Sequence, residues 1–276
     1  MTRINDGIMD NFYREINQPD DHIDLAKAAL YIAQEEYPDL DPDEYLNALD
    51  VMADEVEERL PAERYPLRII QSLNQYFYDD LGYIGNTSDY YDPRNSFLNE
   101  VIDRRTGIPI TLSLVYLEVA RRLNFPMVGI NMPGHFLIRP SFEEAGIFVD
   151  AFNRGEILFP QDCEERLAQM YGRPMKMQSS FITSVSSRQI LVRMLRNLKF
   201  IYLNRSDLPK AQAAVERILL LFPDAATEIR DRGLIYYQLG YEPQAAQDLE
   251  IYLAMLPNAE DAPGIRRLLE QLSRGA

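Results

Sequence analysis

The chain has 276 residues, 46% of them hydrophobic, which is enough to bury a core in one large domain or two smaller ones and argues against global disorder. Its net charge of −15, from 43 acidic and 28 basic residues, argues against a broad nucleic-acid-binding surface, which needs cations set against phosphates. Cys163 is the only cysteine, so no intrachain disulfide can form, and one cysteine with two distant histidines matches no zinc-ligand spacing.

No stretch approaches the ~18–20 apolar residues of a membrane span, and "MTRINDGIMDNFYREINQPDD" lacks the apolar region of a secretory signal. The expectation is a cytoplasmic protein with no membrane or nucleic-acid partner and no metal or cofactor. Arginine pairs at Arg104-Arg105 and Arg121-Arg122 leave a small anionic ligand open.

In chain order, the first ~90 residues read as helices. "DHIDLAKAALYIAQEEY" sets Ile23, Ala26, Leu30 and Ala33 near one face, and Pro38 stops it. "DPDEYLNALDVMADEVEERL" has Asp41 as a candidate N-cap and Pro42 at the first helical position, with Tyr45, Leu49, Met52 and Val56 in a stripe. "PLRIIQSLNQYFYDDLG" predicts a third helix ending near Gly82. "YIGNTSDYYDPRNSFL" has loop chemistry, and a long loop bearing three tyrosines (residues 83–91) reads equally as a packed connector or a functional segment.

"GIPITLSLVYLEVARRLNFP" is the strongest helix signal. Leu112, Val115, Tyr116, Val119, Ala120 and Leu123 follow helical spacing, Leu114 and Leu117 widen the stripe, and Glu118 precedes Arg122 by four. After it the period changes. "MVGINM", "HFLIRP", "GIFVDAF" and "EILF" are short apolar runs split by Pro, Gly and acidic turns, with no crossover helices between them. They predict an antiparallel meander, so the fold class is α+β. From about residue 179 the chain is helical again and repeats at 34 residues: Tyr202 with Tyr236, Ala211 with Ala245, Ile218 with Tyr252, Pro223 with Pro257. That is the tetratricopeptide period. The first unit has "NRSD" where the second has a Leu-Gly turn, and "APGIRRLLEQLS" is a candidate cap. The predicted division is residues 1–178 and 179–276.

His135 and Asp150 carry the candidate chemistry. An imidazole held by a carboxylate can deprotonate a nucleophile. On spacing alone, a plain sheet histidine fits as well. His22, in "QPDDHIDL", reads as a surface or capping residue.

The combination "RTGIP", "PGHF" and "DAFN", within "YYDPRNSFLNEVIDRRTGIPITLSLVYLEVARRLNFPMVGINMPGHFLIRP…FVDAFNRG", resembles the transglutaminase-like core of SirB-type bacterial proteins, which join that core to tetratricopeptide-like repeats. The resemblance implies a papain-like arrangement: a Cys at a helix N-terminus, with His and Asp on following strands, here matched by His135 and Asp150. Ala151 stands where the family usually has Pro. Aligning "RRLNFP" with the family pattern puts Pro109 at the Cys position, so the thiol is missing. Thr111, or Ser113 one turn on from Pro109, would be a substitute only if activated. Cys163, among Asp162, Glu164 and Glu165, is expected to lie away from His135, with a raised pKa.

Three readings follow. The first is a degenerate transglutaminase-like protein that binds a protein partner, through its repeats or its remnant cleft, and regulates it. The second is a hydrolase or acyl-transfer enzyme using His135 and Asp150 with a non-Cys nucleophile such as Thr111. The third is a small-ligand site formed by His135 and the tyrosine-rich loop.

Overall fold

Caps in the sequence start the first helices. The Asp24 carboxylate accepts from the Lys27 N–H and opens α2 (Leu25–Ala33), and Asp41 accepts from the Asp43 N–H ahead of Pro42 and opens α3 (Pro42–Glu57). The computed structural model describes residues 2–142 and 146–275, and the chain divides into two compact units, Met1–Leu191 and Val192–Ala276. The fold is mixed α and β as expected, with a preceding helix α1 (Thr2–Ile16).

The third predicted helix is interrupted. α4 (Pro66–Asn74) widens into a π-helical turn over Gln75–Asp80. That turn buries Tyr76, Phe77 and Tyr78, and Phe77 stacks on Tyr116 at 5.3 Å between ring centroids. The tyrosine-rich segment is an ordered connector. Asn86 accepts from the Asp89 N–H, and the Asn95 amide donates to the carbonyls of Asp89 and Tyr90. The segment also forms a short parallel pair the sequence reading missed, β1 (Ile84–Gly85) with β2 (Thr106–Gly107), around helix α5 (Leu98–Arg104).

α6 (Pro109–Arg122) buries every residue from Ile110 to Ala120. Its neighbours include α2, α3 and the meander. The meander is four antiparallel strands in sequence order: β3 (Met127–Met132), β4 (His135–Pro140), β5 (Phe148–Asp150) and β6 (Glu156–Leu158). Pro133-Gly134 forms the β3–β4 turn, with Gly134 at φ +74°. One face of the sheet, with Ile130, Met132, Leu137, Phe148 and Leu158, packs on Cys163 and Leu167 of α7 (Pro160–Tyr171).

The division falls at Leu191, inside α8 (Ser187–Asn204), and not at 178/179 as the sequence suggested. The intervening segment is held by the first unit. Ser184 bridges Ile130, the Val185 N–H donates to the Gly129 carbonyl, and Asp20 accepts from the N–H groups of Ser187 and Arg188. Helical periodicity marks where a helix begins but not which core its first turn joins.

The second unit completes the repeat with α9 (Leu208–Leu221), α10 (Ala226–Gln238), α11 (Glu242–Met255) and α12 (Ala262–Gly275). Ala211 and Ala245 are fully buried, and α12 packs Ile265 against Leu249 and Tyr252. The weak first turn matches the second bond for bond. The Asp207 N–H donates to the Tyr202 carbonyl at 2.9 Å, and the Tyr241 N–H to the Tyr236 carbonyl at 2.8 Å. Ser206 takes φ +58° where the second repeat has Gly240 at φ +80°. A Cβ is disfavoured in this left-handed region, so Ser206→Gly should stabilise the second unit by about 0.5–1 kcal/mol in chemical denaturation. An unchanged or lowered midpoint would show that the serine is not strained.

Candidate active site remnant

The candidate nucleophiles lie at the start of α6. Pro109 occupies the first helical position and offers no side-chain donor. Thr111 is fully buried. Its hydroxyl donates to the Asn95 carbonyl at 2.7 Å and accepts from the Ile108 N–H at 3.2 Å, so it fastens the preceding loop to the helix. Ser113 is also fully buried, and its hydroxyl has no hydrogen-bond partner among the described residues.

His135 and Asp150 share one face of the sheet, but among the described residues no hydrogen bond joins them. β4 and β5 pair through Ile138 and Val149, so in this antiparallel register Asp150 faces Leu137 and His135 is its diagonal neighbour. Diagonal positions lie roughly 7–8 Å apart, within reach of an aromatic ring, but among the described residues the His135 ring makes no hydrogen bond to Asp150. The Asp150 carboxylate, 2% exposed, is fully engaged elsewhere. It accepts from Arg166 at 2.6 Å, from the Asn153 amide at 2.8 Å, and from the backbone N–H groups of Phe152 and Asn153. Arg166 also pairs with Glu156. The "DAFN" motif is thus a turn fastened by its own first residue. His135 is half-buried, and among the described residues its ring has no hydrogen-bond or ion-pair partner.

The face bearing His135 and Asp150 is the one covered by α7. Cys163 is therefore not remote: it packs with Met132 and Leu137 on this face. It is nonetheless fully buried, and burial, with Asp162 and Asp150 nearby, outweighs Arg166 and pushes the thiol up to about 11. His22 is exposed beside Asp21, away from any of these groups.

Sequence reasoning missed Arg166, whose role depends on α7 folding back onto β5, and the clamp behind the turn. There, Asn74 donates to the Gly155 carbonyl at 2.6 Å and the Tyr78 hydroxyl donates to the Ala151 carbonyl at 2.9 Å. The "DAFN" string itself was the only local signal for this turn. Among the described residues there is no cluster of potential metal ligands, and no helix is long and apolar enough to cross a membrane.

The family described as the transglutaminase-like superfamily matches residues 43–196, and a tetratricopeptide repeat family matches residues 198–270. The chain is similar to a UPF0162 protein of Xylella fastidiosa (strain 9a5c), 38% identical over 261 residues that cover 92% of each chain. A UPF0162 protein of Vibrio cholerae is 31% identical over 220 residues, 79% of this chain and 81% of that protein. F-box only protein 21 of Homo sapiens is 27% identical over 281 residues, 86% of this chain and 42% of that protein. No solved structure matches the chain. A transglutaminase-like domain followed by tetratricopeptide repeats, with relatives named UPF0162 along nearly its whole length, places this chain in the transglutaminase-like superfamily, in keeping with its SirB-type motifs.

Proposed function

We propose that this protein is a binding or regulatory module built on a transglutaminase-like domain that has lost its nucleophile. The observation that carries this reading is the commitment of the site's polar groups to structure. Asp150 holds a turn and an ion pair, Thr111 holds a loop, and Pro109 stands where the family places a thiol. A nucleophile, a base and a carboxylate orienting that base must be within hydrogen-bond reach of one another. The tetratricopeptide repeats support a protein partner, because such repeats present extended surfaces to peptides and helices.

The test is turnover on peptide and glutamine substrates. Cys163→Ser and iodoacetamide should leave any function intact. With the thiol at about 11, only roughly one molecule in ten thousand carries a thiolate at pH 7, and the sulfur is buried. Turnover that requires Cys163 would overturn the reading. Turnover that requires His135 but not Cys163 would establish the hydrolase alternative.

A further inference from the structure

The acidic charge of this chain is concentrated in one region. Residues 1–80 hold 20 acidic and six basic side chains, with no lysine or arginine between Lys27 and Arg59, whereas residues 192–276 hold eleven of each. Within that region α3 carries Asp54, Glu55, Glu57 and the following Glu58 at its C-terminal end, with no basic residue in its last turn. This arrangement is unfavourable for the helix itself. Carboxylates there oppose the negative end of the helix dipole, and Asp50–Asp54 and Asp54–Glu58 are like-charge neighbours four apart, each costing about 0.2–0.5 kcal/mol.

Beside this end of α3 lies a groove of about 540 Å³, bounded also by α4 and the C-terminal end of α6. Leu60, Phe125 and Phe142 give it apolar surface. The Phe125 and Phe142 rings meet edge to face at 6.1 Å, and Phe142 remains 42% exposed. Its two cations are already neutralised: Arg64 pairs with Glu57, and Arg122 with Asp50 and Glu118. Asp54 also lines the groove, and neither it nor Glu58 has a side-chain partner among the described residues. Two helix C-termini and the unneutralised carboxylate of Asp54 therefore act on one recess that is largely polar but has an apolar wall at Leu60, Phe125 and Phe142.

We propose that this groove docks a basic segment of a partner protein, in which a lysine or arginine meets Asp54 while an adjacent apolar side chain packs on Phe125 and Phe142. This rests on the binding-module reading and supplies the partner's chemistry. Nucleic acids and anionic membranes carry the wrong sign of charge for it.

The probe is a fluorescein-labelled peptide alternating arginine with leucine, titrated into the full chain by fluorescence anisotropy. Binding should weaken as salt rises. Asp54→Lys should weaken it at least about tenfold, while Glu250→Lys, the same charge change on an exposed position of α11, should change it less than about twofold. Asp54→Lys puts a cation at a helix C-terminus, which favours folding, so lost binding cannot be ascribed to misfolding. Phe142→Ala should weaken binding about three- to fivefold, and a peptide with glycine in place of leucine should bind correspondingly less well. Equal losses in Asp54→Lys and Glu250→Lys, or equal binding of the glycine peptide, would overturn the groove and leave the binding-module reading standing. Thiol-dependent turnover would overturn that reading without altering this titration.

Discussion

Asp150→Ala should destabilise the first unit by about 3–5 kcal/mol, because it takes one of two carboxylates from the largely buried Arg166 guanidinium, which keeps Glu156, and leaves the Phe152 and Asn153 N–H groups of the 150–155 turn without their acceptor. For a unit of this size the loss corresponds to a fall in the thermal midpoint of roughly 6–20 °C. Arg166→Met should produce a smaller fall, since the carboxylate it leaves still accepts from the Asn153 amide and two backbone N–H groups. A catalytic aspartate predicts the opposite pattern: an unchanged midpoint with lost turnover. That result would remove the structural role assigned here and restore Asp150 to the chemistry.

Gly155→Ala should cost about 3 kcal/mol or more in chemical denaturation, whereas Gly172→Ala should cost only about 1 kcal/mol. Both glycines sit in the left-handed region, at φ +68° and +65°. They differ in what a methyl group would meet. At Gly172 nothing lies within 4 Å, but at Gly155 the added carbon would come within 2.6 Å of the Tyr78 ring and closer still to the Asn74 amide. Asn74 cannot yield cheaply, since it donates to the Gly155 carbonyl and accepts from the buried Tyr116 hydroxyl. The difference between the two substitutions therefore measures how firmly α4 and its π-helical turn clamp the loop after Asp150. Equal costs would mean that the clamp gives way without resistance.

Both experiments probe a turn whose sequence, "DAFN", was visible from the start and whose job was not. Local information in this chain is explicit. Asp24, Asp41 and the prolines that follow or stop helices set boundaries, because caps and proline act within a few residues. Alternation along β4 put His135 and Leu137 on one face, because side chains in a strand alternate whatever surrounds them, whereas it took the Ile138–Val149 register to bring Asp150 to that face. The 34-residue period specified the helical hairpins of the second unit, even where Ser206 replaces glycine, because each repeat packs chiefly on its neighbours.

What the sequence left open was which element would cover each face. Nothing near His135 in the chain indicates that its face of the sheet packs against α7. Nothing near Asp150 indicates that Arg166 reaches it across sixteen residues of turn, strand and helix. Likewise α3 shows its carboxylates in the sequence, but the recess beside them gains an apolar wall only where the segment after α6 brings Phe125 against Phe142. Helix caps and strand alternation are properties of the backbone over one or two turns. The pairing of a carboxylate with its cation, or of a charged helix end with a groove, is set by how separate elements pack, and that is decided by the whole buried surface together.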